Sequence, residues 1–379
     1  MESICELLGI EYPVLAFSHC RDVVAAVSKA GGMGVLGAVT YTPDELEVEL
    51  KWIEEQVGGK PYGIDVLIPA SIEGLGDLDP STLEGIDVKQ LLPEPQRHFL
   101  DDLLARHGVP AAQDQGQEHG RRRPGLGGLV LPTTLAEVAL EHPIGLVASA
   151  LGPPPAKLVT AAHERGVQVA ALVGTKEHAL RQRDAGVDIV VAQGTEAGGH
   201  TGEIGTMVLV PEVVKAVAPL PVLAAGGIAS GRQMAAAMAL GAQGVWTGSV
   251  WLTTEEAETN PVVKEKLLAA SSRDTVRSKS RTGKPARQLR SAWTDAWESP
   301  ESPGALPMPL QPLLVEDAVR RIDRAAVAGN PGAKELANYF VGQVVGSLES
   351  VRPARQVLLD MVQEYVETVA ELASSLGGD

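Results

Sequence analysis

Eight short, apolar, β-branched runs alternate with helical runs along this chain of 379 residues. Glycine-rich turns follow the last three of those runs, and glycine is abundant (41 residues) while aromatics make up only 3%. These observations predict an α/β protein folded as a closed (β/α)8 TIM barrel. Strict βα alternation makes neighbouring strands parallel with right-handed crossovers, and eight such units are what a barrel needs to close. A doubly wound open sheet is the alternative.

The first strand is expected over 12–17, ended by Ser18, His19 and Cys20. Residues 21–30 read as a helix with Val23, Val24 and Val27 on one face, closed by Gly31-Gly32. The second strand is 33–38. Thr42-Pro43 then opens a helix that carries Leu46, Leu50, Ile53 and Val57 at helical spacing. The third strand is 62–68. The rhythm breaks at Pro69, and residues 69–96 read as an irregular loop rich in Gly, Pro and Asp. A helix is expected over 96–107, and 107–130, with Arg121-Arg122-Arg123, reads as a mobile surface loop.

The alternation resumes with a helix over 135–141 and strands at 144–149, 167–173, 188–192, 221–225 and 244–249. Helices are expected between them at 155–165, 176–184, 211–217 and 230–240. Residues 254–344 break the pattern with charge and a proline-rich loop, and read as a mostly helical insertion above the barrel mouth. An amphipathic stretch over 351–376 is expected to be the last barrel helix. The barrel is thus assigned to 1–253 and 345–379, and a lid to 254–344.

A formal charge of -16 argues against nucleic-acid and anionic-membrane partners. It leaves room for a phosphate held by local glycine turns. Cys5 and Cys20 are too few for a disulfide framework. No secretory leader and no bilayer-spanning run are read, so a cytoplasmic protein is expected.

Polar groups gather at the end of the sixth strand, in Gln193-Gly194-Thr195-Glu196-Ala197-Gly198-Gly199-His200. Glycines there admit a ligand close to the backbone, and a histidine exchanges protons near neutral pH. After the seventh strand comes Gly226-Gly227-Ile228-Ala229-Ser230-Gly231, in which Ser230 is placed to cap the next helix. Thr247-Gly248-Ser249 follows the eighth strand. Barrels commonly bind phosphate after strands seven and eight, and a helix N-terminus favours an anion. A flavin-sized ligand held there would lie across the mouth, with Asp65 and Gln193 in reach of its rings and His200 near their edge. No metal-ligand spacing and no Gly-x-Ser-x-Gly nucleophile elbow occur, so no catalytic metal is expected.

The stretches at 193–200, 224–231 and 247–252 resemble the nitronate monooxygenase family, once called 2-nitropropane dioxygenases. So do 29–37, 282–287 and Gly342-Gln343. The resemblance covers most of the chain apart from 70–130. It implies an FMN-dependent barrel with a small helical substrate domain. It implies that Gly227, Gly248 and Ser249 hold the phosphate and that Gln193 and Gly198 contact the flavin. Gly199, Gly226, Thr247 and the run Ala16-Phe17-Ser18 complete the expected cofactor contacts. His200 would line the substrate pocket, as base for a nitroalkane or anchor for a nitronate, with O2 as the oxidant. Two departures stand out. The family usually has a Gln-(Gly/Ala)-Pro-Met-like run where this chain has Ala16 to Cys20, and Asn where it has Asp65. An ionised carboxylate facing a flavin disfavours the anionic reduced ring unless it is protonated or paired.

His19 is a second candidate acid–base group, with a capping or packing histidine as the plain alternative. An NAD(P)H-dependent flavin reductase of quinones, enones or acyl-CoA thioesters stays open, because basic residues between Arg273 and Arg290 are suited to a pyrophosphate tail. So do a homodimer and a flavin-free binding barrel.

Overall fold

The computed structural model describes residues 3–68, 92–111 and 132–376. The loop expectations for 69–91 and 113–128, including the arginine triplet, lie outside these residues. The strands are β1 (Val14–Ser18), β2 (Met33–Gly37), β3 (Tyr62–Leu67), β4 (Leu146–Ala150), β5 (Gln168–Val173), β6 (Ile189–Gln193), β7 (Gly199–His200), β8 (Val222–Ala225), β9 (Gly244–Thr247), β10 (Thr275–Ser278) and β11 (Ala286–Leu289). A closed barrel runs β1-β2-β3-β4-β5-β6-β8-β9, and β9 returns to β1 with Leu15 beside Trp246. Every barrel pairing is parallel.

Side-chain alternation separates two cores. Leu15, Met33, Val35, Leu146, Ala148, Ala170, Ile189, Val191, Leu223, Ala225 and Trp246 fill the barrel interior. Their sequence neighbours Val14, Leu36, Ile64, Val147, Val190 and Val245 pack outward against the helices. Each buried Leu, Ile or Val stabilises the fold by about 1.5–3 kcal/mol. The short helix Ile4–Leu8, fixed by a Ser3–Glu6 capping box, brings Ile4, Leu8 and Ile10 into the interior set. Five residues show too little period for this helix to be legible in the sequence. It plugs one end of the barrel with apolar groups.

The helix expected from Pro211 begins earlier, spanning Thr206–Val217 with Pro211 inside it. Proline costs one backbone hydrogen bond. Glu196 offsets this by accepting the Thr206 N–H at 3.0 Å and its hydroxyl at 2.9 Å. The last helix, Ala354–Leu376, packs on Gly231–Ala239 so closely that a Cβ on Gly231 would lie 2.2 Å from Tyr365 N. Helix Glu94–Arg106 joins the segment after β9 rather than the barrel wall: Phe99 meets Trp297 edge-on at 4.9 Å, and Asn330 Nδ2 donates to Gly108 O at 2.8 Å. That segment contains helices Pro261–Ala269, Ala292–Trp297, Leu310–Val327 and Pro331–Leu336, together with the β10–β11 hairpin. The hairpin is an addition to the helical reading. It pairs with β7 to form a second, antiparallel sheet in the order β10-β11-β7. Among the described residues no helix is long and apolar enough to cross a membrane.

Candidate active site

Strand alternation decides which expected residues face the barrel interior. On β1, Phe17 packs with the interior set, 6.3 Å from the Trp246 ring. Ala16 belongs to the outer layer, and Ser18 Oγ accepts the Cys20 N–H at 3.1 Å. The side chains of Ala16 and Ser18 therefore turn away from the site expected for them, and only backbone at these positions is left to meet a ligand. The Thr247 hydroxyl is likewise engaged within the fold. Its hydroxyl donates to Leu15 O at 3.2 Å and accepts from Trp251 Nε1 at 3.0 Å, so it serves the barrel wall. His19 folds over β2, donating Nδ1–H to Gly37 O at 3.1 Å while its ring meets Phe17 edge-on at 5.1 Å. A Cβ at position 37 would come within 2.5 Å of His19 Nδ1, so glycine there makes room for the imidazole. These contacts fit the packing alternative for His19.

Asp65 and Gln193 point inward. Tyr62, Ile64 and Val66 occupy the outer layer, which leaves Gly63 and Asp65 on the interior side of β3. Ile189 and Val191 set the same phase for Gln193. Asp65 is 5% exposed, and among the described residues neither its side chain nor that of Gln193 has a hydrogen-bond partner. Burial pushes the Asp65 carboxyl up to about 8.

The 193–200 loop is tied from several sides. Arg287 Nε donates to Thr195 O at 2.9 Å, and the Gln343 N–H donates to Glu196 O at 2.8 Å. Gly198 lies so close to Val341 that a Cβ would meet its carbonyl carbon at 2.8 Å. Gly342 N–H donates to Ser249 Oγ at 2.8 Å, which joins this loop's neighbour to the turn after β9. Gly226 and Gly227 adopt φ of +91° and +73°, and a Cβ on Gly226 would approach Gly194 O to 2.8 Å. Only glycine makes this double left-handed turn without strain.

The helix N-terminus beyond it is already satisfied. Ser230 Oγ accepts the Gln233 N–H at 3.3 Å, Gln233 Oε1 accepts the Ala229 N–H at 2.7 Å, and Glu364 Oε2 accepts the Gly231 N–H at 2.7 Å. At this helix end a carboxylate from the last helix thus takes the place an anion would use. The turns Gly226-Gly227 and Gly248-Ser249 remain, side by side because Ala225 pairs with Trp246.

His200 sits on β7 opposite Ala286. Its Nε2 lies 2.9 Å from Thr282 Oγ1, and that hydroxyl donates to Lys284 O at 3.0 Å. A hydroxyl has one proton, so Nε2 must be the donor and Nδ1 carries the lone pair. Burial, reinforced by the Lys284 ammonium, lowers the imidazole to about 4. His200 is therefore neutral at neutral pH, with a defined tautomer. Away from this group, Cys20, Asp22 and Glu258 place ligand-type atoms within 4.8 Å of one another. Cys20 and Asp22 are two residues apart, and the fold brings the distant Glu258 to them. The Cys20 thiol donates to Glu256 O at 3.0 Å and is pushed up by burial, which keeps it protonated.

The sequence model of the nitronate monooxygenase family matches residues 2–77 and 101–364. The chain belongs to the nitronate monooxygenase family. It is an oxidoreductase of that family. It is 61% identical over 375 residues to the Mycobacterium tuberculosis protein named "Putative monooxygenase Rv1533", covering 97% of both chains. It is 30% identical over 301 residues to a "Probable nitronate monooxygenase" of Staphylococcus saprophyticus, covering 75% of this chain and 77% of that one. Among solved structures it is similar to nitroalkane oxidase from Streptomyces ansochromogenes (26% identity, TM-score 0.77, 98% of this chain and 100% of that one). It is also similar to FabK from Thermotoga maritima (29% identity, TM-score 0.72, 99% of each chain).

In this nitronate monooxygenase family member, Thr282 stands out in the sequence only through the family resemblance, and Lys284 and Arg287 also as part of the basic run between Arg273 and Arg290. The fold gives all three a physical role. Thr282 fixes the His200 tautomer, Lys284 biases its charge, and Arg287 holds the loop that carries it. The pairing of β11 with β7 brings them together, and no local spacing signals it.

Proposed function

We propose that the protein oxidises nitronates with O2, using FMN held across the barrel mouth. The state of His200 carries this reading. An imidazole lowered to about 4 is a poor match for removing a carbon-bound proton from a neutral nitroalkane near neutral pH. It suits a substrate that arrives already deprotonated. Lys284 supplies positive charge beside it. An anion docking there offsets the ammonium and desolvation effects, draws a proton onto His200 Nδ1 and gains a charge-assisted hydrogen bond.

The residues present fit a flavin nucleotide. On β2, β4 and β8 the interior side toward the strand ends carries small residues (Gly37, Ala148, Ala225), which leaves width for a planar ring. Gly248 has no heavy atom closer to its virtual Cβ than Phe17 Cδ1 at 3.9 Å, and Gly199 has none within 4 Å, so backbone is open to a ligand at both. Gly226, Gly227, Gly248 and Ser249 would hold the phosphate through N–H groups and the Ser249 hydroxyl. Gln193, Gly198 and Asp65 would meet the ring system. Bound FMN would take electrons from the nitronate and pass them to O2. The chain's own work is to bind, orient and exclude water.

The reductase alternative loses part of its support. Arg277 donates to Thr201 O at 3.1 Å, Arg287 to Thr195 O at 2.9 Å, and Arg290 to Asp295 at 2.8 Å. These side chains brace the hairpin and its neighbours instead of forming a pyrophosphate cradle. Anaerobic titration of FMN-loaded protein tests the reading. Propyl nitronate should bleach the flavin, while 1-nitropropane and NADPH should act far more slowly. Bleaching by NADPH with none by the nitronate would transfer the assignment to a reductase.

A further inference from the structure

Asp65 is a carboxyl group that the fold buries and leaves alone. It lies on the interior side of β3, in register between Gly37 of β2 and Ala148 of β4. The interior side chains beside it, Val35, Leu146 and Ala148, are apolar. Among the described residues, titratable groups on the surrounding elements are few. On the β2 side, His19 covers Gly37. β4 contributes only apolar interior side chains, β1 contributes Phe17, and β6 contributes the uncharged Gln193. Glu54, Tyr62 and His142 form their own hydrogen-bonded group behind the strand, on its helix-facing side. An unpaired carboxylate in such surroundings is strongly disfavoured, and the group answers by keeping its proton. A buried polar group without a partner calls for an explanation, and a ligand that completes its hydrogen bonding is one.

We propose that Asp65 faces the bound flavin as a proton-bearing carboxylic acid, donating a hydrogen bond to the ring and keeping its proton when electrons enter the ring. The proposal rests on the flavin reading above. In balance, the ring would gain two electrons from the nitronate and one proton from solvent while the Asp65 O–H bond stays intact. Where alkaline solution has first removed that proton, reduction draws one back from solvent onto Asp65 as negative charge builds beside it. The acid thus accommodates a charge that an ionised Asp65 would oppose, and the proton stoichiometry of reduction changes with pH.

Two measurements test this. The first uses the ligand-free protein and infrared difference spectroscopy. A protonated-carboxyl C=O band should be present at neutral pH, vanish in Asp65→Asn, and titrate away in the wild type near about 8. The second records the midpoint potential of the FMN-loaded protein against pH. In the wild type the slope should double above the ionisation of Asp65, and in Asp65→Asn it should stay single throughout. If Asp65→Asn binds no FMN, the break in the wild-type slope and the infrared band decide the matter. A wild type with no band at neutral pH, or with one slope across the range, overturns the proposal. A protein that takes up no FMN overturns both this proposal and the functional reading. One that binds and reduces FMN with an unbroken slope overturns only this proposal.

Discussion

Replacing Thr282 by Ala probes the link between tautomer and turnover. The hydroxyl accepts from His200 Nε2 at 2.9 Å and donates to Lys284 O at 3.0 Å. Without it the half-buried imidazole N–H loses its acceptor. Leaving such a donor unsatisfied costs about 1–3 kcal/mol. The ring can escape that cost by moving its proton to Nδ1, the position that faces away from Thr282, and the prepared lone pair is then lost. If the whole penalty is felt in substrate reduction of the flavin, efficiency falls by about 5- to 150-fold. The assay is anaerobic stopped-flow reduction of bound FMN by propyl nitronate, with flavin content measured in parallel. Thr282→Ala should keep its flavin and lose reduction efficiency within that range, while Thr282→Ser should recover most of it. Wild-type efficiency in Thr282→Ala, or no rescue by serine, would refute the assigned role.

Other predictions concern stability and cofactor retention. His200 has a folded value of about 4 against an ordinary 6.5, so between those pH values the unfolded chain holds the proton and the native chain does not. Its contribution to stability therefore rises with pH across that window, and His200→Gln should flatten the acid limb of a Tm–pH profile; an unaltered limb contradicts the burial argument. His142 has the opposite sign: burial alone would lower it, but hydrogen bonds to Glu47 at 2.8 Å and Glu54 at 2.5 Å outweigh burial and raise it. The stabilisation is complete below the unfolded value of 6.5 and lost as pH rises through the folded one, so His142→Gln should lower Tm at mildly acidic pH and matter less in alkali; equal loss at both would be the contrary result. Gly226→Ala should cost about 1–2 kcal/mol for its left-handed backbone and, by pushing on Gly194 O, weaken FMN binding more than about tenfold. Gly58→Ala, also left-handed but in open space, should incur only the backbone cost and keep its FMN; identical flavin loss in both would show that the 226 turn has no special place.

The barrel is readable because its strands are repeated instances of one local rule. Ile189-Val190-Val191-Ala192 and Val222-Leu223-Ala224-Ala225 are apolar on both faces, as strands between an interior and a helical layer must be. All eight barrel strands lie within two residues of their expected limits at either end. Local rules are weaker where satisfaction of polar groups depends on distant chain. Thr247 carries a hydroxyl suited to a phosphate, yet Leu15 O and Trp251 engage it; Ser230 caps its helix as its position suggests, but the Gly231 N–H beside it goes to the distant Glu364. The hairpin β10–β11 is only four residues per strand, too short for alternation to stand out, and its pairing with Gly199–His200 is a tertiary event. Sequence can therefore nominate His200, but not its tautomer, its charge or its neighbours.

The central claim is that the turns after β6, β8 and β9 and the His200 hairpin enclose one flavin site. Diffraction from crystals grown with FMN tests it most directly. The phosphate should lie against Gly226-Gly227 and Gly248-Ser249, the ring within hydrogen-bonding reach of Asp65 and Gln193, and His200 at its open edge. FMN density elsewhere, or a ring with its face closed off from His200, would contradict it.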